Sequence, residues 1–268
     1  MAALALEALL RRETAIIIAA LVVLTLLAWL AVLVGAGTGM DPFAMSGWFF
    51  PYGDPAAQSG TWTPSYWLIS FVMWAVMMVA MMLPSTSPMV LLYASVMRQS
   101  ERKGEIADAS LRIAAFAGGY LSLWILFSLF AVAAQFALEQ LAAMSAMMML
   151  RSPAAAGALL IAAGVYQLTP LKDACLAHCR VPASFLAAHW RPGISGAWRM
   201  GVTHGAYCVG CCLALMLLLF VGGVMNLIWI AGLTLFVLAE KFLPQGRRLS
   251  VPIGVLLIVA GAALVVAG

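Results

Sequence analysis

Seven apolar runs, near 14–36, 65–96, 112–138, 153–170, 199–221, 224–242 and 249–267, divide the chain, and charged residues gather in the short segments between them. Runs of this length predict helices rather than strands, and about 20 apolar residues are what a helix needs to cross a bilayer core. The pattern predicts an all-α fold, a polytopic transmembrane helical bundle of about seven helices, with 1–268 forming one integral membrane domain. Residues 1–13 read as a cytoplasmic leader, 37–64 as an external aromatic loop, and 249–267 as the last helix. Thr14–Val34 is too long for the apolar stretch of a cleaved signal peptide and reads as a retained first helix. Between the fifth and sixth runs, Gly222 and Gly223 followed by Met225 and Asn226 predict a tight hairpin, with Asn226 as its cap.

Composition agrees with the pattern. Hydrophobic residues make up 65% of the chain and charged ones 9%, against about 25% charged in an average soluble domain. Polar surface is too scarce for a water-facing domain. Basic residues remain on the cytoplasmic side of membrane proteins, and with the N-terminus inside, Arg151 alone among the 14 Lys and Arg residues falls outside. This predicts a multi-pass protein of the bacterial inner (cytoplasmic) membrane, N-terminus cytoplasmic and C-terminus external. The net charge of +4 follows from basic loops beside anionic lipid and requires no nucleic acid. The external loop carries Phe43, Trp48, Phe49, Phe50, Tyr52 and Trp62 with Asp41 and Asp54, a composition suited to the membrane surface over an entrance. There is no phosphate-binding glycine loop and no serine-nucleophile elbow.

Soft metal ligands cluster on the fifth run. At about 100° per residue, Gly201, His204, Gly205, Cys208, Cys211, Cys212 and Met216 share one helical arc. Thiolate, imidazole and thioether together favour Cu(I), with Zn(II) an alternative where thioether is absent. The same face also reads as packing, because cysteine is a small hydrophobe and Gly201 with Gly205 forms a small-residue stripe. An ionisable His204 inside a span favours chemistry. After the fourth run, Cys175, His178 and Cys179 place three more donors within five residues, and these complete the chain's set of five cysteines. If they finish a site begun by Cys208 and Cys212, the segment 171–198 must fold back on the fifth helix, turning at Pro182, Pro192, Gly193 and Gly196. A sulfur of Cys175 or Cys179 should then lie within about 8 Å of one on the fifth helix, allowing modest closure around a metal.

The second run carries Met73, Met77, Met78, Met81 and Met82, followed by Pro84, Ser85, Thr86, Ser87 and Pro88. Methionine stripes serve as adaptable packing or as thioether ligands. The two prolines predict a helix broken at membrane depth, with the hydroxyls satisfying freed carbonyls, as in transport sites. Met40, Met45, Met144, Met147, Met148 and Met149 fall outside, where they would capture Cu(I) or form an oxidisable loop. Glu240 and Lys241 read as the inner end of the sixth helix.

The segments MWAVMMVAMMLPS, YQLTPLKDACLAHCR and GAYCVGCCLALM, with GGVMNLIW and AEK beyond, resemble a bacterial domain-of-unknown-function family described as predicted metal-binding integral membrane proteins. The resemblance covers roughly 65–245 and implies a metal-handling core there. It marks the five methionines of the second run with Pro84, then Tyr166, Gln167, Pro170, Lys172, Cys175 and Cys179, then Cys208, Cys211, Cys212, Met216, Asn226 and Glu240. The leading expectation is a soft-metal protein, for Cu(I) above all, that transports or handles the ion across the membrane with a soluble metal-delivery protein or a membrane subunit as partner. Two other readings stand beside it: a membrane thiol–disulfide oxidoreductase, and a non-catalytic packing subunit of a membrane complex.

Overall fold

The structure is a computed structural model that describes residues 2–47, 62–145, 147–243 and 246–267, with side chains described from Thr14 onward and, in the last helix, from Arg248. Trp48, Phe49, Phe50, Tyr52 and Asp54 of the loop expected outside lie outside the described residues.

All seven apolar runs form helices: α1 (Ala2–Leu33), α2 (Pro64–Arg102), α3 (Ala109–Gln140), α4 (Pro153–Gln167), α7 (Gly193–Leu217), α9 (Leu227–Phe242) and α10 (Gly246–Ala267). Short helices α5 (Pro170–Arg180) and α6 (Pro182–His189) fill the connection before α7, and a single turn, α8 (Leu219–Gly222), follows it. The first helix begins at Ala2, so the segment read as a leader is its first part. Helix starts are written in the sequence: Pro64, Pro153 and Pro170 each open a helix behind Thr63, Ser152 and Thr169, whose hydroxyls accept an N–H of the first turn at 3.2–3.3 Å.

Among the described residues, five helices are long and apolar enough to cross a membrane, or six if α4 and α5, bent by 64° at Leu168–Thr169, make one span. The sixth run yields only 16 residues, which rise about 24 Å against a hydrocarbon core of about 30 Å. Apolar side chains such as Leu24, Leu129 and Val259 face outward from α1, α3 and α10.

The predicted break in α2 is corrected, because the helix runs through Pro84 and Pro88 without interruption. Each proline withdraws the N–H that would bond the carbonyl four residues earlier, and each orphaned carbonyl has another donor. The Trp29 indole donates to the Ala80 carbonyl at 3.1 Å, and the Ser87 hydroxyl to the Pro84 carbonyl at 2.8 Å.

Glycine sets the helix pairing. A Cβ on Gly164 would fall 2.5 Å from the Gly254 carbonyl, and one on Gly157 2.5 Å from that of Gly261, so α4 and α10 meet backbone to backbone. Gly201 of α7 abuts the Phe116 carbonyl of α3 in the same way, and Gly205 packs on Leu123. The packing stripe foreseen on the fifth run is thus occupied by this chain's own α3.

Across the end of the bundle opposite α5 and α6, Met144 and Leu150 pair as an isolated antiparallel bridge that folds the chain back on itself. Leu150 and Val224 N–H groups bond the Phe220 and Met148 carbonyls at 2.8 and 3.2 Å, tying the hairpin to the turn after α8. Met144, Met148 and Met149 are buried there, and Met40 and Met45 pack against the same core. Asn226 caps α9, accepting from Ile228 N–H at 3.0 Å, and donates to the Gly47 and Gly222 carbonyls at 2.9 Å each. The first part of the 37–64 loop is therefore pinned over the α8–α9 turn.

Candidate metal centre

Three cysteines from two elements converge inside the bundle. Cys179 of α5 and Cys208 and Cys211 of α7 are buried, and their sulfurs all lie within 4.8 Å of one another. The return of 171–198 brings this about. Pro182 starts α6, Gly193 turns at φ +80° into α7, and α5 packs along α7. Cys179 Sγ stands 4.0 Å from Cys211 Sγ, inside the separation expected of a fold-back. An ion bound to three sulfurs in a plane at about 2.3 Å holds them about 4.0 Å apart. The donor set and its spacing fit a soft metal.

The neighbouring sulfurs differ in their access to this centre. Cys212 Sγ lies 3.3 Å from Cys211 Sγ and is buried. Cys175 is half-buried, its sulfur against Gly210, whose lack of a side chain leaves it room. Tyr166 donates to the Gly210 carbonyl at 2.5 Å and fixes that stretch of α7. All five cysteines are free thiols.

A lysine enters the centre from α9. Lys241 Nζ donates to Cys208 Sγ at 3.0 Å and to the Ser85 hydroxyl at 2.9 Å, and is almost fully buried. Glu240 and Lys241 do lie in the last turn of α9, but the expectation that they sit at the inner interface is corrected: both are buried. Ile230, Thr234, Val237 and Lys241 recur at helical spacing and are all buried, so the stripe that could have placed Lys241 inside was present in the sequence. Ser85 also donates to the Met82 carbonyl at 2.8 Å, and the Tyr120 hydroxyl sits 3.2 Å from Cys208 Sγ and 3.1 Å from that same carbonyl. Ser85 lies near the middle of α2, so the centre sits deep in the bundle, not at its rim.

A second buried charge pair braces the frame. Lys172 of α5 and Glu240 of α9 form an ion pair, and Gln167 and Ser250 also donate to Glu240 Oε1, at 3.3 and 2.5 Å. Pro170 starts the helix that carries Lys172, so the bend after α4, α9 and α10 meet at one carboxylate.

The remaining candidates surround the centre. Met73, Met77, Met78, Met81, Met82 and Met216 are all buried in the core that holds the cysteines. His204 is buried one turn before Cys208, among the rings of Phe116, Tyr120 and Phe185, and its Nδ1 has no hydrogen-bond partner. His178 turns aside and stacks on Tyr207 at 4.0 Å. Neither histidine belongs to the sulfur group.

A family model described as "PpoB2: Copper chaperone" matches residues 71–264. No curated protein and no solved structure matches the chain.

Proposed function

The chain belongs to the PpoB2 copper-chaperone family, and from that premise we propose that it is a polytopic protein of the bacterial cytoplasmic membrane that binds Cu(I) as cargo at Cys179, Cys208 and Cys211. The single observation that supports this reading most is the convergence of the three sulfurs within 4.8 Å of one another, from helices far apart in sequence. Cu(I) prefers few, soft ligands. Two or three thiolates around one Cu(I) leave a net negative charge in a low-dielectric interior, where such a charge is costly. The Lys241 ammonium, 3.0 Å from Cys208 Sγ, offsets it. Tyr120 orients the same sulfur, and the Ser85 hydroxyl accepts a second hydrogen bond from the ammonium.

In this reading the cytoplasmic end carries α5 and α6, the external end carries the methionine hairpin, and the buried methionines of α2 supply thioether ligands between them. The ion is passed to or from a soluble or membrane partner. Zn(II) is the alternative cargo. The exchange chemistry of a thiol–disulfide oxidoreductase fits less well, because Cys179, Cys208, Cys211 and Cys212 are all buried and a partner disulfide needs access. A packing subunit would offer Gly201 and Gly205 to another chain, and α3 already covers them.

The test is Cu(I) titration of the detergent-purified, reduced protein against a competing Cu(I) chelator, followed by metal analysis. The reading expects tight copper in the native protein and its loss in Cys208→Ser and Cys179→Ser, with helical content unchanged. Equal copper retention by native and variant proteins would overturn it.

A further inference from the structure

The chain's three histidines, His178, His189 and His204, come from three different helices and gather around Phe185 and Tyr207. They neighbour the sulfur ligands in sequence. His178 precedes Cys179, Tyr207 precedes Cys208, and His204 is one turn before Cys208. His178 and His189 are partly exposed, unlike the buried sulfurs.

Two features separate His178 and His189 from ordinary ring packing. His178 Nδ1 lies 2.8 Å from the Ala174 carbonyl, and His189 Nδ1 lies 3.1 Å from the Phe185 carbonyl. A carbonyl can only accept, so in both rings Nδ1 is the donor, and in the neutral ring Nε2 is the nitrogen that holds the lone pair. Metal-binding histidines are commonly prepared in this way, the other ring nitrogen donating to a backbone carbonyl. Each ring is also held flat against an aromatic neighbour, His178 on Tyr207 at 3° and His189 on Phe185 at 17°.

The spacing then fits a shared ion. An imidazole centroid lies about 1.1 Å from its nitrogens, so two rings bound through bonds of about 2.0 Å have centroids about 5–6 Å apart. The His178 and His189 centroids are 5.9 Å apart.

We propose that His178 and His189 form a second, accessible Cu(I) site, bound through the two Nε2 atoms, that serves as the portal through which the ion enters or leaves the sulfur centre. The inference rests on the copper reading above. Neutral imidazoles hold Cu(I) less tightly than thiolates do, so the portal site exchanges while the sulfur site retains. His204, beyond Phe185 and buried, is the next nitrogen inward. No bond is oxidised or reduced in the transfer; Cu(I) changes ligands, and each imidazole is left neutral.

The experiment is anaerobic Cu(I) titration of the full-length native protein and of His178→Gln/His189→Gln, with X-ray absorption on samples holding one and two equivalents and stopped-flow transfer to an excess of soluble chelator. The native protein should bind two equivalents, the second weaker and adding nitrogen scatterers. The double variant should keep the first equivalent with sulfur scattering alone, lose the second, and release copper at least tenfold more slowly. A double variant with two equivalents, or with one equivalent and native transfer rates, overturns the portal. Absence of sulfur-bound copper from the native protein overturns the copper reading itself, so the two failures are distinguishable. The triple variant Cys179→Ser/Cys208→Ser/Cys211→Ser adds an independent arm: it should retain only nitrogen-bound copper, and the two glutamines should abolish that too.

Discussion

Replacing Lys172 by Met should destabilise the protein severely, and neutralising Glu240 in the same molecule should restore most of the loss. Lys172 is fully buried, Glu240 is 2% exposed, and the carboxylate takes further donors from Gln167 and Ser250. Breaking a buried pair from one side costs about 3–5 kcal/mol, because the remaining charge is left in a low dielectric, whereas replacing both partners by neutral groups is often near neutral. For a chain of this size each kcal/mol moves Tm by about 2–4 °C, so Lys172→Met should melt about 6–20 °C lower. Lys172→Met/Glu240→Gln should recover at least half of that shift, a coupling far outside additivity. The assay is unfolding in one detergent at one scan rate, because membrane proteins rarely unfold reversibly and Tm then depends on the rate. Lys172→Met should also lower copper retention, since α5 carries Cys179. A single variant within 2 °C of native, or a double variant as unstable as the two singles combined, would refute the reasoning.

Lys241→Met should weaken Cu(I) binding about 10- to 100-fold, the range of a lost charge-assisted hydrogen bond, while leaving the stoichiometry intact; chelator competition measures it. Trp29→Phe leaves the Ala80 carbonyl without its indole donor and should lower stability by about 1–3 kcal/mol, read by the same melting assay. Gly201→Leu places side-chain atoms in the Phe116 backbone and should abolish the folded monodisperse peak in size exclusion, whereas Gly232→Ala, with open space around it, should not.

The helices were legible because apolar runs and Pro-led caps are local signals, and each predicted run became a helix, although the sixth is shorter than a bilayer core. The convergence of α5 on α7 was legible in outline, since five cysteines in two short segments with turn residues between them allow few other arrangements. The continuity of α2 was not, because the indole that satisfies the Ala80 carbonyl comes from Trp29, 51 residues away. Sequence reasoning counted Pro84 and Pro88 as breaks without a view of that donor. Lys241 was misread for the opposite reason. A lysine near a helix end usually snorkels to the interface, and only the Ile230–Thr234–Val237 stripe argued otherwise. His189 carried no motif, and its part emerges only when α6 folds against Tyr207. Met144, Met148 and Met149 were read as part of either a Cu(I)-capture surface or an oxidisable loop, but they are buried, and backbone hydrogen bonds tie their segment to the α8–α9 turn.

The central claim is that Cys179, Cys208 and Cys211 hold copper together. X-ray absorption on the native protein loaded anaerobically with one equivalent of Cu(I) tests it most directly, with Cys179→Ser as the comparison. The account predicts a Cu(I) edge with two or three sulfur scatterers at about 2.3 Å, losing one scatterer or the metal itself in Cys179→Ser. A first shell of nitrogen or oxygen alone, or a sulfur shell unchanged by Cys179→Ser, would contradict it.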